Sequence, residues 1–471
     1  MKRLGSDRSA SSKAPIARVL TAIAMEGRIM RAYALWTMGL LVLAALSVPG
    51  AASQRASVPM LRANGMRMQE RILRLAEFGR DPRGGVSRVA FTEADRQGRA
   101  YIISLMRELG LAVRIDPAGN IIGRREGLEP QLPPIAFGSH IDSVPNGGRY
   151  DGVVGVIGAL ECIQVLTEHG ITTRHPLEVI VFAAEEGGLF GSRAMIGAVT
   201  PEALDVVSQS GMTVREGIRA IGGDPERLAE AVRRPGEITA FLELHVEQGG
   251  TLEAEGVPIG VVEGIVGINR WDVEIEGFAN HAGTTPMNQR RDALVAAAEL
   301  ILAVNRVVTT VPGRQVGTVG RIEAEPGAIN VIPGRVRMSV ELRDLSAEKI
   351  EQLFERIREE AHAIEQRRGV TITFTPIDAT AVPALMDARV RRLIAETAQE
   401  LGLRVLSLPS GAGHDAQNMA RIAPTGMIFV PSVGGISHAP QEYTRPEDLA
   451  NGATVLVHTI VKIDRGALSR K

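Results

Sequence analysis

Four short apolar runs constrain this chain more than any other feature: PIAFGSH (134–140), LEVIVFAA (177–184), TAFLELH (239–245) and TGMIFVP (425–431). Each is bounded by polar or glycine-rich sequence and has the length of a strand rather than a helix. Between the first two lies an apolar stretch of helical length, GVVGVIGALECIQVLTEH. Strands apolar on both faces and alternating with helices predict an α/β fold, a mostly parallel, mixed sheet covered by helices on both sides. Further helices are expected in RMQERILRLAEF and from Thr92 onward, where Asp95 stands three residues after a candidate cap. DPAGN (116–120) reads as a turn.

The segment from about Gly267 to Asp378 has another texture. Alternating strands (RWDVEIEG, VGTVGRIEA, RVRMSVELRD, VTITFTPID) accompany two long helical stretches near Asp292–Val307 and Ala347–Arg368. Strand–helix alternation resumes at Val390, so this segment reads as an α+β module inserted in the first domain. The expected organisation is a leader at 1–55, a catalytic domain in two parts at 56–265 and 381–471, and a lid or dimerisation domain at 266–380.

The leader expectation rests on residues 1–31, which are polar and rich in Arg, Lys and Ser, followed by the uncharged AYALWTMGLLVLAALSV and PGAAS. A basic stretch, an apolar stretch and small residues near Ala52 fit an export signal, natural if translation starts at Met30. The alternatives are an N-terminal membrane anchor or a cytoplasmic chain.

A formal net charge of -1 gives no reason to expect nucleic acid or an anionic membrane as partner. Two Trp, four Tyr and ten Phe make base-stacking surfaces an unlikely use of the chain. A single cysteine, Cys162, excludes an intrachain disulfide and a thiolate metal cluster. Any metal must be held by His, Asp and Glu.

Those residue types stand where such a sheet needs them. PIAFGSH ends in His140, with Asp142 and Asp151 following; LEVIVFAA is followed by Glu185 and Glu186. TAFLELH ends in His245, then Glu247 and Gln248; TGMIFVP leads to His438. Ligands of open parallel sheets bind beyond the carboxyl ends of the strands, so four segments aim imidazoles and carboxylates at one edge. Singly, each has a plainer reading: a surface histidine, a solvated Glu pair, or Asp151 as a helix cap. His169, His175, His362 and His458 lack this setting and read as structural.

Adjacent carboxylates after a buried strand repel unless a cation or a shared proton relieves them. An imidazole–carboxylate cluster without thiolates suits borderline divalent ions such as Zn, Mn, Co or Ni. Two such ions sharing a carboxylate would polarise a carbonyl and lower the pKa of a shared water, with one Glu on metal and the other left as a base. Consecutive strand side chains face opposite ways, so turning both Glu toward one site requires leaving strand geometry, a turn expected at Gly187 and Gly188.

GSHIDSVPNGGRYDG, FAAEEGG, LELHVEQG, ANHAGTTPMNQRRDAL, EPGAINVIPGRVRMSVELRD, SGAGHDAQNMA and PSVGGISHAPQE together resemble the N-carbamoyl-L-amino-acid hydrolase and allantoate amidohydrolase branch of the dinuclear-metal amidase and peptidase clan. The resemblance runs in order from about Met66 to Lys471. It implies that His140 and His245 hold one metal, Glu186 and His438 the other, and Asp151 bridges them, with zinc the leading candidate. Asp142 would orient His140 through its other ring nitrogen, and Glu185 would be the general base. Substrate contacts would come from Gln248, His281, Asn330 and Arg343, with His281 reaching the site of a partner subunit in a homodimer. His281 would also stabilise the oxyanion, and Arg343 offers a planar fork for a carboxylate. His414 and Asp415 would shape a loop of the site. The implied activity is hydrolysis of the carbamoyl C–N bond of an N-carbamoyl-L-amino acid or similar small carboxylate. Alternatives are an allantoate amidohydrolase, an exported dipeptidase or N-acyl-amino-acid amidase, and a catalytically dead metal-binding dimer.

Overall fold

The computed structural model describes residues 60–377 and 381–469; the leader read at 1–55 lies outside them. In chain order the strands are β1 (Ala112–Ile115), β2 (Ile121–Arg125), β3 (Ile135–His140), β4 (Leu177–Phe182), β5 (Ala240–Val246), β6 (Ile259–Ile265), β7 (Gly267–Glu276) and β8 (Asn280–His281). They continue as β9 (Val316–Thr318), β10 (Ile322–Glu325), β11 (Val331–Ile332), β12 (Arg335–Asp344), β13 (Thr371–Pro376), β14 (Ala384–Leu385), β15 (Val405–Ser410) and β16 (Thr425–Val430).

The four apolar runs become β3, β4, β5 and β16, adjacent in the order β4-β3-β5-β16 and mutually parallel. All four are buried along their whole length. That explains why they lack alternation: both faces are covered, and each large apolar side chain so buried contributes about 1.5–3 kcal/mol. Helices Val153–Glu168 and Pro446–Asp464 pack on β3, β5 and β16 and on each other. Gly155 and Gly158 allow the close approach to Leu244. The other face is closed by a core that includes Phe182, Met195, Phe241, Met419 and Phe429. β1, β2, β6 and β14 add antiparallel pairings at the flanks, and β15 adds a parallel one to β6, completing a nine-stranded mixed sheet.

A second, antiparallel sheet runs β10-β12-β7-β13, with β9 beside β12. On β7, Trp271, Val273 and Ile275 enter its core, and the intervening residues face away. Helices Ala293–Thr310 and Ala347–Arg368 cover that core, capped by Asp292 and Ser346. Trp271 stacks on Phe354 at 3.9 Å between ring centroids. Helix Ala293–Thr310 is long and apolar enough to cross a membrane, and its buried residues other than Ala303 belong to this core. β8 and β11 form a separate two-stranded ribbon.

Thr92 caps the helix Glu93–Glu108 by accepting from the Asp95 amide, as its spacing predicts. Asp95 reaches back one residue further than a capping box requires, accepting from the Phe91 amide at 2.8 Å.

Candidate metal centre

The carboxyl ends of the parallel strands converge on a cavity of about 320 Å³, whose walls include His140, Asp151, Glu185, Glu186, His245, Gln248 and His438. Asp151 sits at the middle. Its Oδ1 is 3.2 Å from His245 Nε2 and its Oδ2 is 2.8 Å from His438 Nε2. The reading of Asp151 as a helix cap fails: the cap of Val153–Glu168 is Gly152, with a φ of 65° and no side-chain bond. A Cβ at Gly152 would collide with the His140 ring, so glycine there makes room for the imidazole.

Both buried imidazoles turn Nε2 into the cavity because Nδ1 is engaged behind them. His245 Nδ1 is 2.9 Å from the Val246 carbonyl, and His140 Nδ1 is 3.1 Å from the Asp142 carbonyl. The Asp142 carboxylate lies 3.6 Å from His140 Nδ1. Its closest bonds go elsewhere: Oδ1 accepts from the Glu185 amide at 3.2 Å and Oδ2 from the Glu186 amide at 3.1 Å. One carboxylate thus fixes the backbone of both glutamates. The chain leaves strand geometry at Ala184, where φ is 52°, earlier than the glycines expected to make the turn; Gly188 follows with a φ of 108°.

Glu185 Oε2 then faces His140 Nε2 at 3.7 Å, and Glu186 Oε1 faces His438 Nε2 at 3.5 Å. Burial pushes Glu185 well above the usual carboxylate range. Burial and the neighbouring Asp151 raise Glu186 to about 7. Burial alone would raise Asp151 too, but hydrogen bonds from His245 and His438 hold it well below its ordinary value. His438, bonded to Asp151, is raised to about 9.

Two ligand groups emerge, His140–Asp151–His245 and Asp151–Glu186–His438, each with one donor atom per residue within 4.8 Å of the others. Their all-nitrogen and oxygen character fits a borderline divalent ion, and Asp151 belongs to both. A third group, Glu243–His245–His414, meets the same distance test. Glu243 is already engaged there, accepting from Ser139 Oγ at 2.7 Å and from the Ala416 amide at 2.8 Å.

An ion entering the Asp151–Glu186–His438 group must displace the proton that Asp151 holds on His438. Affinity for that ion should therefore rise with pH up to about 9 and then level. Calorimetric titration of metal-stripped protein at pH 7, in buffers of different ionisation heat, should register more than one proton released, about one from His438 and about half of one from Glu186. Uptake without proton release would contradict this reading.

The other expected residues are distributed as follows. Gln248, at a φ of 58°, donates from Nε2 to Asp151 Oδ1 at 3.1 Å. Arg343 donates from Nε to Glu341 at 2.7 Å and from Nη1 to the Gly411 carbonyl at 2.6 Å, next to the cavity wall at Ala412 and Gly413. His281 on β8 and Asn330 in the turn before β11 are exposed, outside the cavity lining; the amides of Gly283 and Thr284 donate to His281 Nδ1. Glu247 is used as a local cap, accepting from the Thr251 and Leu252 amides. His414 is buried, bonded to Ser410 Oγ at 2.8 Å and packed edge-on to His245 at 4.4 Å. His169, His175 and His458 bond backbone carbonyls and His362 faces Glu365, each within its own structural setting.

Two supporting residues escape a linear reading. Glu442 Oε2 accepts from the amides of Tyr150 and Asp151 at 2.7 and 3.1 Å, while Oε1 accepts from Ser437 Oγ at 2.7 Å. It ties the Asp151 loop to the His438 loop, and a side chain at Gly148 would strike it. Glu243 stands in the middle of an apolar strand, a charge whose position was itself the available signal.

A parallel sheet whose strand ends gather imidazoles and carboxylates around one shared Asp defines a metal-dependent hydrolase. Residues 136–462 match peptidase family M20/M25/M40. An N-carbamoyl-L-amino acid amidohydrolase of Geobacillus stearothermophilus is 44% identical over 407 residues, covering 85% of this chain and 99% of the relative. An allantoate amidohydrolase of Bacillus subtilis is 36% identical over 395 residues, covering 83% and 95%. The crystal structure of an amidase of the hydantoinase/carbamoylase family from Burkholderia multivorans superposes with a TM-score of 0.79 at 36% identity, covering 86% of this chain and 98% of that one. The chain belongs to peptidase family M20/M25/M40, in its N-carbamoyl-L-amino-acid hydrolase and allantoate amidohydrolase branch.

The expectation of export is corrected by the same relatives. Export is not supported by these N-carbamoyl-L-amino-acid amidohydrolases, which align over 97–99% of their own length with 84–86% of this chain. An uncharged run preceded by polar residues meets the compositional description of a signal, but composition alone carried that reading.

Proposed function

We propose that this chain hydrolyses the carbamoyl C–N bond of an N-carbamoyl-L-amino acid or a closely similar small ureido acid. The observation that carries the reading is Asp151, set between His245 and His438 in the cavity that Glu185 also lines, a glutamate whose proton affinity burial has raised. His140, His245 and Asp151 would hold one divalent ion, and Asp151, Glu186 and His438 a second. When bound, such ions supply polarisation of a carbonyl and acidification of a water.

The chain's own residues perform the rest. Glu185 takes a proton from the attacking water and returns it to the leaving nitrogen, a task suited to a carboxylate whose proton affinity burial has raised. Arg343, positioned by Glu341 and Gly411, offers its remaining N–H donors to the substrate carboxylate, and Gln248 adds an amide from the cavity wall. For an N-carbamoyl amino acid and one water, the products are the amino acid, ammonia and carbon dioxide.

His281 and Asn330 enter this reading through a second copy of the chain. Their exposure at a ribbon outside the cavity, near exposed Phe278 and Ile329, supports a homodimer in which the second sheet acts as lid and contact. His281 would then stabilise the oxyanion in the partner's site, and closure would exclude water.

The test is a turnover panel of N-carbamoyl-L-amino acids, allantoate, β-ureidopropionate and dipeptides, with Zn, Mn or Co added. Turnover of ureido acids is expected; cleavage of dipeptides alone would overturn the reading.

A further inference from the structure

We propose that Arg270 reads the substrate's side chain, selecting ureido acids whose side chain ends in a carboxylate over those ending in an alkyl group. This rests on the ureido-acid reading above. Arg270 lines the same cavity as His140, Asp151, Glu185, Glu186 and His438. It is the one guanidinium among the described lining residues, which also include Ile268, Ala381, Ala412, Gly413 and Gln417.

Its place follows from strand geometry. Alternation on β7 sends Trp271 into the core of the second sheet and Arg270 to the opposite face. The antiparallel register pairs Arg270 with Glu341 and Ile268 with Arg343. Arg270, Glu341 and Arg343 therefore share one face. Glu341 joins them: Oε2 accepts from Arg270 Nε at 2.6 Å, and Oε1 accepts from Arg343 Nε at 2.7 Å. Both guanidinium groups are thus oriented before a ligand arrives. Arg270 keeps 34% of its side chain exposed while so held.

With Arg343 taking the α-carboxylate, Arg270 meets the next substituent out, the side chain. A planar fork recognises a carboxylate in two parallel bonds and gains nothing from an alkyl group of the same size.

The test compares N-carbamoyl-L-aspartate with N-carbamoyl-L-leucine, whose side chains have the same number of heavy atoms. The wild type, loaded with metal, should favour aspartate in kcat/KM by about tenfold or more, one hydrogen-bonded charge's worth. Arg270→Leu should reverse the order, mainly through KM, and Arg270→Lys should restore part of it. Equal loss for both substrates would overturn the proposal, because it would make Arg270 a holder of the common α-carboxylate or of the fold. A wild type preferring leucine would also overturn it. If neither compound is turned over, the ureido reading fails. Calorimetric binding of L-aspartate and L-leucine to wild type and Arg270→Leu then still decides the side-chain claim: equal affinities in the wild type reject it, and an aspartate preference lost in the variant upholds it.

Discussion

Glu185→Gln should keep its metal and lose about 10²–10⁴-fold in kcat, the usual contribution of a positioned proton-transfer group. Glu185 belongs to neither of the two ligand groups, and its nearest cluster contact is His140 at 3.7 Å. Gln preserves size and one acceptor but cannot take a proton from water. The backbone that aims it is held by Asp142 through the amides of residues 185 and 186, which the substitution does not touch. Metal content measured beside single-turnover rates separates this from a binding defect. Unchanged turnover would remove Glu185 from the chemistry.

Asp151→Ala should be as damaging by a different route. Asp151 alone belongs to both ligand groups, and hydrogen bonds from His245 and His438 hold its carboxylate ionised. Its removal strips the His140–Asp151–His245 group of its one carboxylate and leaves Glu186 facing His438 alone. Loss of several kcal/mol of charge stabilisation corresponds to about 10³-fold or more in rate. Metal affinity should fall with it, unlike in Glu185→Gln. Thermal unfolding of both variants in the presence and absence of added ion distinguishes them: the stabilisation by ion survives in Glu185→Gln and is diminished in Asp151→Ala. An Asp151→Ala protein that binds ions and turns over normally would contradict the shared-ligand geometry.

The parts of this site legible in the chain are those where one-dimensional pattern and three-dimensional role coincide. β3, β4, β5 and β16 are recognisable because strands buried on both faces must be apolar throughout. The His and Glu residues are recognisable because a parallel sheet collects its strand ends at one edge. The parts not legible depend on register or on distant pairing. Glu442 reaches Asp151 across 291 residues of chain, so nothing near it in sequence announces its task. Arg270 acquires meaning only through the β7–β12 register that sets Glu341 opposite. The turn after β4 was expected at the glycines, yet Ala184 makes it. Asp142 stabilises the turn from outside by accepting two amides, so the usual preference for glycine is overridden by a fixed anion.

The Asp142 arrangement also explains why adjacent glutamates follow a buried strand. Each side chain meets a different histidine, Glu185 beside His140 and Glu186 beside His438, while a single carboxylate sets the backbone of both. Burial raises the proton affinity of both, Asp151 adds to the rise at Glu186, and the charge of Glu186 adds to the rise at Glu185. In the proposed function that shift would serve proton transfer at Glu185, and at Glu186 a bound cation would relieve it.

The central claim is that this cluster holds two divalent ions around Asp151. The direct measurement is the metal-to-chain ratio of purified, dialysed protein by elemental mass spectrometry, taken with turnover before and after chelation. Two ions per chain, with activity lost on chelation and restored by added Zn, Mn or Co, is the predicted result. Protein free of divalent ion whose turnover is untouched by a chelator would contradict it.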